Sequence, residues 1–89
     1  MNPLILKQAK KIGVKVTRAS DIEKKLDVYY DGRKIASIGD SEYEDYYSYL
    51  ERDGKKVAEE HRRRYKLRHH KDFDHLRGYL AWVLLWNGN

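Results

Sequence analysis

Ten consecutive residues, Arg62-Arg63-Arg64-Tyr65-Lys66-Leu67-Arg68-His69-His70-Lys71, hold six Lys or Arg, two His and no acid. Side chains of this kind at this density suit phosphate. The arginine fork matches the geometry of phosphate oxygens, and a cationic surface gains affinity for a polyanion by releasing its counterions. The candidate nucleic-acid contacts are therefore Arg62, Arg63, Arg64, Lys66, Arg68, His69, His70 and Lys71. On a helix, Arg64, Arg68 and Lys71 share one face by i, i+4 and i+7 spacing, and Arg62 and Lys66 share another. The competing reading is a solvated helix whose cations pair with Glu59, Glu60, Asp72 and Asp74.

A second cluster overlaps the first. His69, Asp72 and His75 are two imidazoles and a carboxylate, a set that suits a transition metal. With a histidine as general base, the same groups would serve a metal-dependent nuclease. The spacing matches no zinc signature such as His-Glu-x-x-His, so no metal, no cofactor and no catalytic residue is assigned. The tyrosines Tyr29, Tyr30, Tyr43, Tyr46, Tyr47 and Tyr49 offer faces on which bases could stack beside the cations. The spacing of Tyr43, Tyr46 and Tyr47 with Leu50 favours a structural role for them.

The elements that must position these groups are legible in turn. Asn2-Pro3 reads as a helix start, with Asn as cap and Pro at the first helical position. Ile5, Ala9 and Ile12 follow at helical spacing with lysines between them, and Gly13 reads as the C-cap. Val14 and Val16 alternate with polar residues and suggest a short strand. Leu26, Val28 and Tyr30 alternate up to Asp31-Gly32, the signal for a two-residue type I′ hairpin. That register pairs Val28 with Ile35 and Tyr29 with Lys34. It puts Leu26, Val28, Tyr30 and Ile35 on one face, and Tyr29, Ala36 and Ile38 on the other. Ser41 and Glu44 have capping-box spacing ahead of a short helix ending at Gly54. A long helix is predicted from about Lys55 to about His70. A final apolar helix starts near Gly78 and carries Tyr79, Trp82, Val83 and Trp86 along one side.

Composition bounds the rest. A chain of 89 residues makes one small domain. Its formal charge of +5 favours nucleic acid, an anionic surface or an acidic protein as partner. The absence of cysteine excludes disulfides, thiolate catalysis and Cys-ligated zinc. Leu4-Ile5-Leu6 is too short for a secretory signal, and Gly78 to Trp86 is too short for a membrane span. A location inside a cell or in a virion, not secretion, is expected.

Several segments occur together in a fixed order: Lys24-Lys25-Leu26-Asp27-Val28-Tyr29, Asp31-Gly32-Arg33-Lys34-Ile35-Ala36-Ser37-Ile38-Gly39, Tyr43-Glu44-Asp45-Tyr46, Tyr49-Leu50, Arg63-Arg64-Tyr65, Arg68-His69, Gly78-Tyr79 and Leu84-Leu85-Trp86. The pattern resembles a family of small uncharacterised proteins encoded by large double-stranded DNA viruses, viruses of algae among them. Members of that family often carry Ser-Pro before the Gly-Tyr pair, where this chain has Leu76-Arg77. The resemblance implies a viral origin and a shared fold, and no catalytic residues.

The fold expected is one α+β domain: an N-terminal helix, a β-hairpin with room for a third strand, then packed helices, with Trp86 buried against the hairpin or the first helix. The function expected is a small non-enzymatic nucleic-acid-binding accessory protein, with DNA favoured over RNA and weak sequence preference. The alternatives are a virion-assembly protein whose basic face meets an acidic protein, and the metal-dependent nuclease.

Overall fold

A computed structural model describes all 89 residues. The chain runs α1 (Pro3–Ile12), β1 (Lys15–Arg18), β2 (Lys24–Tyr30), β3 (Arg33–Asp40), α2 (Tyr46–Asp53), α3 (Lys55–His69), a 3-10 turn over His70–Asp74, and α4 (Leu76–Leu85). The strands form one antiparallel sheet in the order β1-β2-β3. The α+β architecture is as expected, third strand included.

The local signals at α1 act as read. Leu4 N–H donates to Asn2 Oδ1 at 2.8 Å. Gly13 takes a left-handed conformation, and its N–H returns to the last carbonyls of the helix. Ile5, Gln8 and Ala9 turn inward at i, i+3 and i+4. Gln8 is a polar group in the core, and its amide is used. Nε2 donates to Gly88 O at 2.7 Å and to Val83 O at 3.3 Å, tying α1 to the end of α4.

The hairpin tip is Asp31-Gly32, with positive φ at both residues (51° and 77°) as a type I′ turn requires. The predicted faces need correction. Tyr29 pairs with Lys34 as expected, but Val28 pairs with Ala36, not Ile35. Ile35 is an extra residue on β3, a β-bulge that shifts the alternation by one. The core face is therefore Leu26, Val28, Ala36 and Ile38, all buried, while Tyr30 is exposed. The bulge reconciles two apolar runs that would otherwise face opposite ways. Asp27, on the other face, is only 2 % exposed and is covered by the Ser20 loop, Ser37 and Lys34.

The start of α2 also differs from expectation. β3 continues to Asp40, paired with Lys24, so residues 41–45 are used to turn the chain. The cap is Asp45, not Ser41. Its Oδ1 accepts the N–H groups of Tyr47 and Ser48, both at 3.0 Å, and Oδ2 meets Lys25 Nζ at 2.9 Å. Glu44 pairs with Arg52 instead of reaching back to Ser41. Gly54 alone separates α2 from α3.

Helix α4 begins at Leu76, two residues earlier than predicted, and lies on β3 and α1. Leu80, Trp82, Val83, Leu84 and Leu85 are all buried. Each large apolar side chain removed from water contributes about 1.5–3 kcal/mol, so α4 is the main apolar contributor to the core. Tyr79, predicted to share its inward side, is exposed. Trp86 is 8 % exposed, as expected, but its ring neighbours are Tyr65 on α3 and Tyr49 on α2. The chain then folds back over the Trp82 indole. Gly88 N–H donates to Trp82 O at 2.9 Å, and a Cβ on Gly88 would fall 2.0 Å from the indole carbon Cε2. Only glycine fits there. No helix is long and apolar enough to cross a membrane.

Candidate nucleic-acid interface

Helix α3 carries the basic run, and among its side chains only that of Ala58 is fully buried. Ion pairs run along its own surface. Arg62 pairs with Glu59 and also donates to Asn87 O at 2.8 Å. Arg63 forks onto Glu60, with Nη2 at 2.7 Å and Nε at 3.1 Å, and Arg64 Nε reaches the same carboxylate at 3.3 Å. The Arg63 fork holds the Glu60 carboxyl below its usual range. Three of the eight candidate contacts thus share two acids. For Glu59 and Glu60 the solvated-helix reading is the correct one. Asp72 instead meets His69 Nδ1 at 3.2 Å, and Asp74 makes no ion pair.

The remaining cations are free. Lys66, Arg68 and Lys71 are exposed and meet no carboxylate, although the Lys66 ammonium lies 5.8 Å from the centre of the Trp82 ring. His70 Nδ1 lies 3.2 Å from Leu67 O. The single face predicted for Arg64, Arg68 and Lys71 does not form as drawn. α3 stops at His69, and Lys71 belongs to the 3-10 turn. Tyr65, the aromatic within the run, faces inward and is half-buried. Its ring stacks on Trp86 at 4.4 Å and 15° and on His69 at 4.4 Å and 30°. It supports the fold, not a bound base. Tyr46 and Tyr47 are likewise core residues.

No group of three or more His, Asp or Glu side chains converges as metal ligands. His69 and Asp72 meet, but His75 does not complete a site with them, so the geometry behind the nuclease reading is not assembled.

The fold brings in cations that the basic run did not include. Lys7 and Lys11 of α1 line a depression of about 240 Å³ whose far wall is Arg62 and Asn87. A second depression of about 250 Å³ adjoins it, bounded by Arg62, Arg63, Lys66, the Trp82 indole and the acid Glu59, which pairs with Arg62. Arg62 and Asn89 border both. The result is a two-lobed notch, with Lys7 and Lys11 in one lobe, Arg63 and Lys66 in the other, and Arg62 shared. The signal was present in the sequence: residues 1–20 hold five Lys or Arg and no acid. What it lacked was the neighbourhood of α1 and α3.

On the other side of α3 lies a cleft of about 490 Å³. Its walls include Tyr43, Tyr49, Tyr65 and Trp86, the apolar Ala81 and Leu85, the cation Arg68, and the acids Asp40, Glu44 and Asp45. Arg52 neutralises Glu44 and holds its carboxyl below the usual range, and Lys25 neutralises Asp45. The chain matches no family model, no curated protein and no solved structure.

Proposed function

We propose that this protein is a small non-enzymatic accessory protein that binds nucleic acid through its phosphates, with weak sequence preference, and that it serves a large double-stranded DNA virus. The viral part rests on the resemblance of its hairpin and Arg-His segments. The binding part rests on one observation. Lys7 and Lys11 on α1 and Lys66 on α3 form no ion pair and line the two lobes of a notch, separate depressions that share Arg62. Unpaired cations keep their full charge for phosphate oxygens, whereas a cation already on a carboxylate must first give up that partner. Contacts to phosphate carry no sequence information, so the preference among sequences is weak.

The test is a titration of the whole protein with duplex DNA, single-stranded DNA, RNA and heparin at several salt concentrations. Binding to generic DNA that weakens steeply with salt supports the reading. No binding at low salt removes it, and leaves an acidic protein as the partner that the basic notch fits.

A further inference from the structure

The large cleft beside α3 has a composition the phosphate reading does not use. Its volume, about 490 Å³, lies within the range of about 300–1,000 Å³ seen for small-molecule sites. It combines flat aromatic surface, one free cation and one free acid. Tyr49 is stacked on His61 at 3.7 Å, and Tyr65 on Trp86. Tyr43 is different. It stands in the turn between β3 and α2, is 72 % exposed, and stacks on no other ring. In the same cleft Ala81, Leu85 and Trp86 supply apolar wall. Arg68, also in the lining, has no carboxylate partner.

The acids sort themselves. Glu44 and Asp45 are neutralised by Arg52 and Lys25, but Asp40 has no cation. Its Oδ1 accepts the Glu42 N–H at 2.9 Å, which leaves Oδ2 without a partner. A ligand that satisfies all three features has a flat ring, an amino group at the ring edge and a phosphate.

We infer that this cleft takes one unstacked nucleotide with an amino-bearing base, stacked on Tyr43, with its phosphate at Arg68 and its exocyclic amine donating to Asp40. This rests on the nucleic-acid reading and adds a single-strand site to it. Adenine, cytosine and guanine carry such an amine, and thymine does not. Stacking a base on an exposed aromatic ring is the usual way a protein holds a single strand, and removal of one such ring costs roughly ten-fold in affinity.

The experiment compares oligo(dA), oligo(dC) and oligo(dT) of one length with a duplex of that length, at one low salt concentration, by anisotropy and by tryptophan fluorescence. The expected result is tighter binding of oligo(dA) and oligo(dC) than of oligo(dT). Tyr43→Ala should weaken the single strands roughly ten-fold and leave the duplex unchanged, while Tyr43→Phe keeps wild-type affinity. Asp40→Ala should erase the preference between oligo(dA) and oligo(dT). Tyr43 is exposed, so these variants should unfold at the wild-type temperature, which circular dichroism checks. Equal affinity for oligo(dA) and oligo(dT), or single-strand binding indifferent to Tyr43→Ala, overturns the cleft while duplex binding keeps the phosphate reading. Failure to bind any of these nucleic acids overturns both.

Discussion

Ser37 donates its hydroxyl to Asp27 Oδ1 at 2.6 Å across the β2–β3 ladder. The backbone N–H of Ser20 meets the other oxygen at 3.1 Å, its hydroxyl reaches it at 3.3 Å, and Lys34 Nζ stands 3.7 Å away. A buried carboxylate survives only when its oxygens are satisfied in this way. The Ser37 hydroxyl, then the Ser20 N–H, hold the Asp27 carboxyl below its ordinary value of 3.8. The native state thus favours the ionised form. The stability this contributes is present above the ordinary value and is lost as pH falls through the depressed one. Asp27→Asn should be less stable than wild type near neutrality, with the gap narrowing as pH falls below the ordinary carboxylate value. Thermal unfolding across that range checks it. A gap that stays constant would mean the charge is not what the site holds.

Tyr47 gives the opposite expectation. Its ring is buried and packs edge-to-face on Tyr46 at 5.4 Å, but its hydroxyl has no hydrogen-bond partner. Burial also pushes the phenol up, out of the range in which it would ionise. An unsatisfied buried hydroxyl costs about 1–3 kcal/mol. Tyr47→Phe should therefore stabilise the domain by about 1 kcal/mol in urea unfolding, and a loss of stability would show that the hydroxyl has a partner in solution.

Gly32 sits at the hairpin tip with φ of +77° and open space around it. The cost of replacing it is therefore conformational and not steric crowding by neighbours. Gly32→Val should destabilise by roughly 1 kcal/mol or more. Wild-type stability in that variant would rule out the type I′ turn.

The notch predicts a specific salt dependence. Replacing Lys7, Lys11 and Lys66 together with Ala should flatten the slope of log K against log salt by about 2 to 3, at about 0.9 per phosphate on duplex DNA. The loss should be equal for all sequences. Arg64→Ala should do less, because Glu60 already shares that guanidinium. Anisotropy titrations at several salt concentrations measure both. An unchanged slope in the triple variant would move the interface away from α1.

What the sequence made legible was local. Asn2, Gly13, Asp31-Gly32 and Gly54 act within a few residues of themselves, so their roles follow from backbone chemistry alone. The bulge at Ile35 has no such signature. It exists because Ala36 and Ile38 must join Leu26 and Val28 on one face, and the sheet's covered face is set by α4. The capping spacing of Ser41 and Glu44 is real, but β3 pairs out to Asp40 and leaves the cap to Asp45. The pairing of Arg62, Arg63 and Arg64 with Glu59 and Glu60 was foreseeable because those residues lie one helical turn apart. The approach of Lys7 and Lys11 to Arg62 was not, because it spans more than half the chain.

The tie between Gln8 and Gly88 joins residues 80 positions apart. A ribosome delivers the first of them long before the second. During synthesis the apolar stripe of α1, Ile5 and Ala9, has β1 beside it but lacks the surface that finally covers it. That surface, Leu80 to Trp86, is the last part of this segment to appear. The hairpin and the α2–α3 pair can form early from neighbours in sequence, whereas closure of the core must wait for α4. Until then the nascent chain presents its basic helices on an open framework, and α4 with the Gly88 turn acts as the latch.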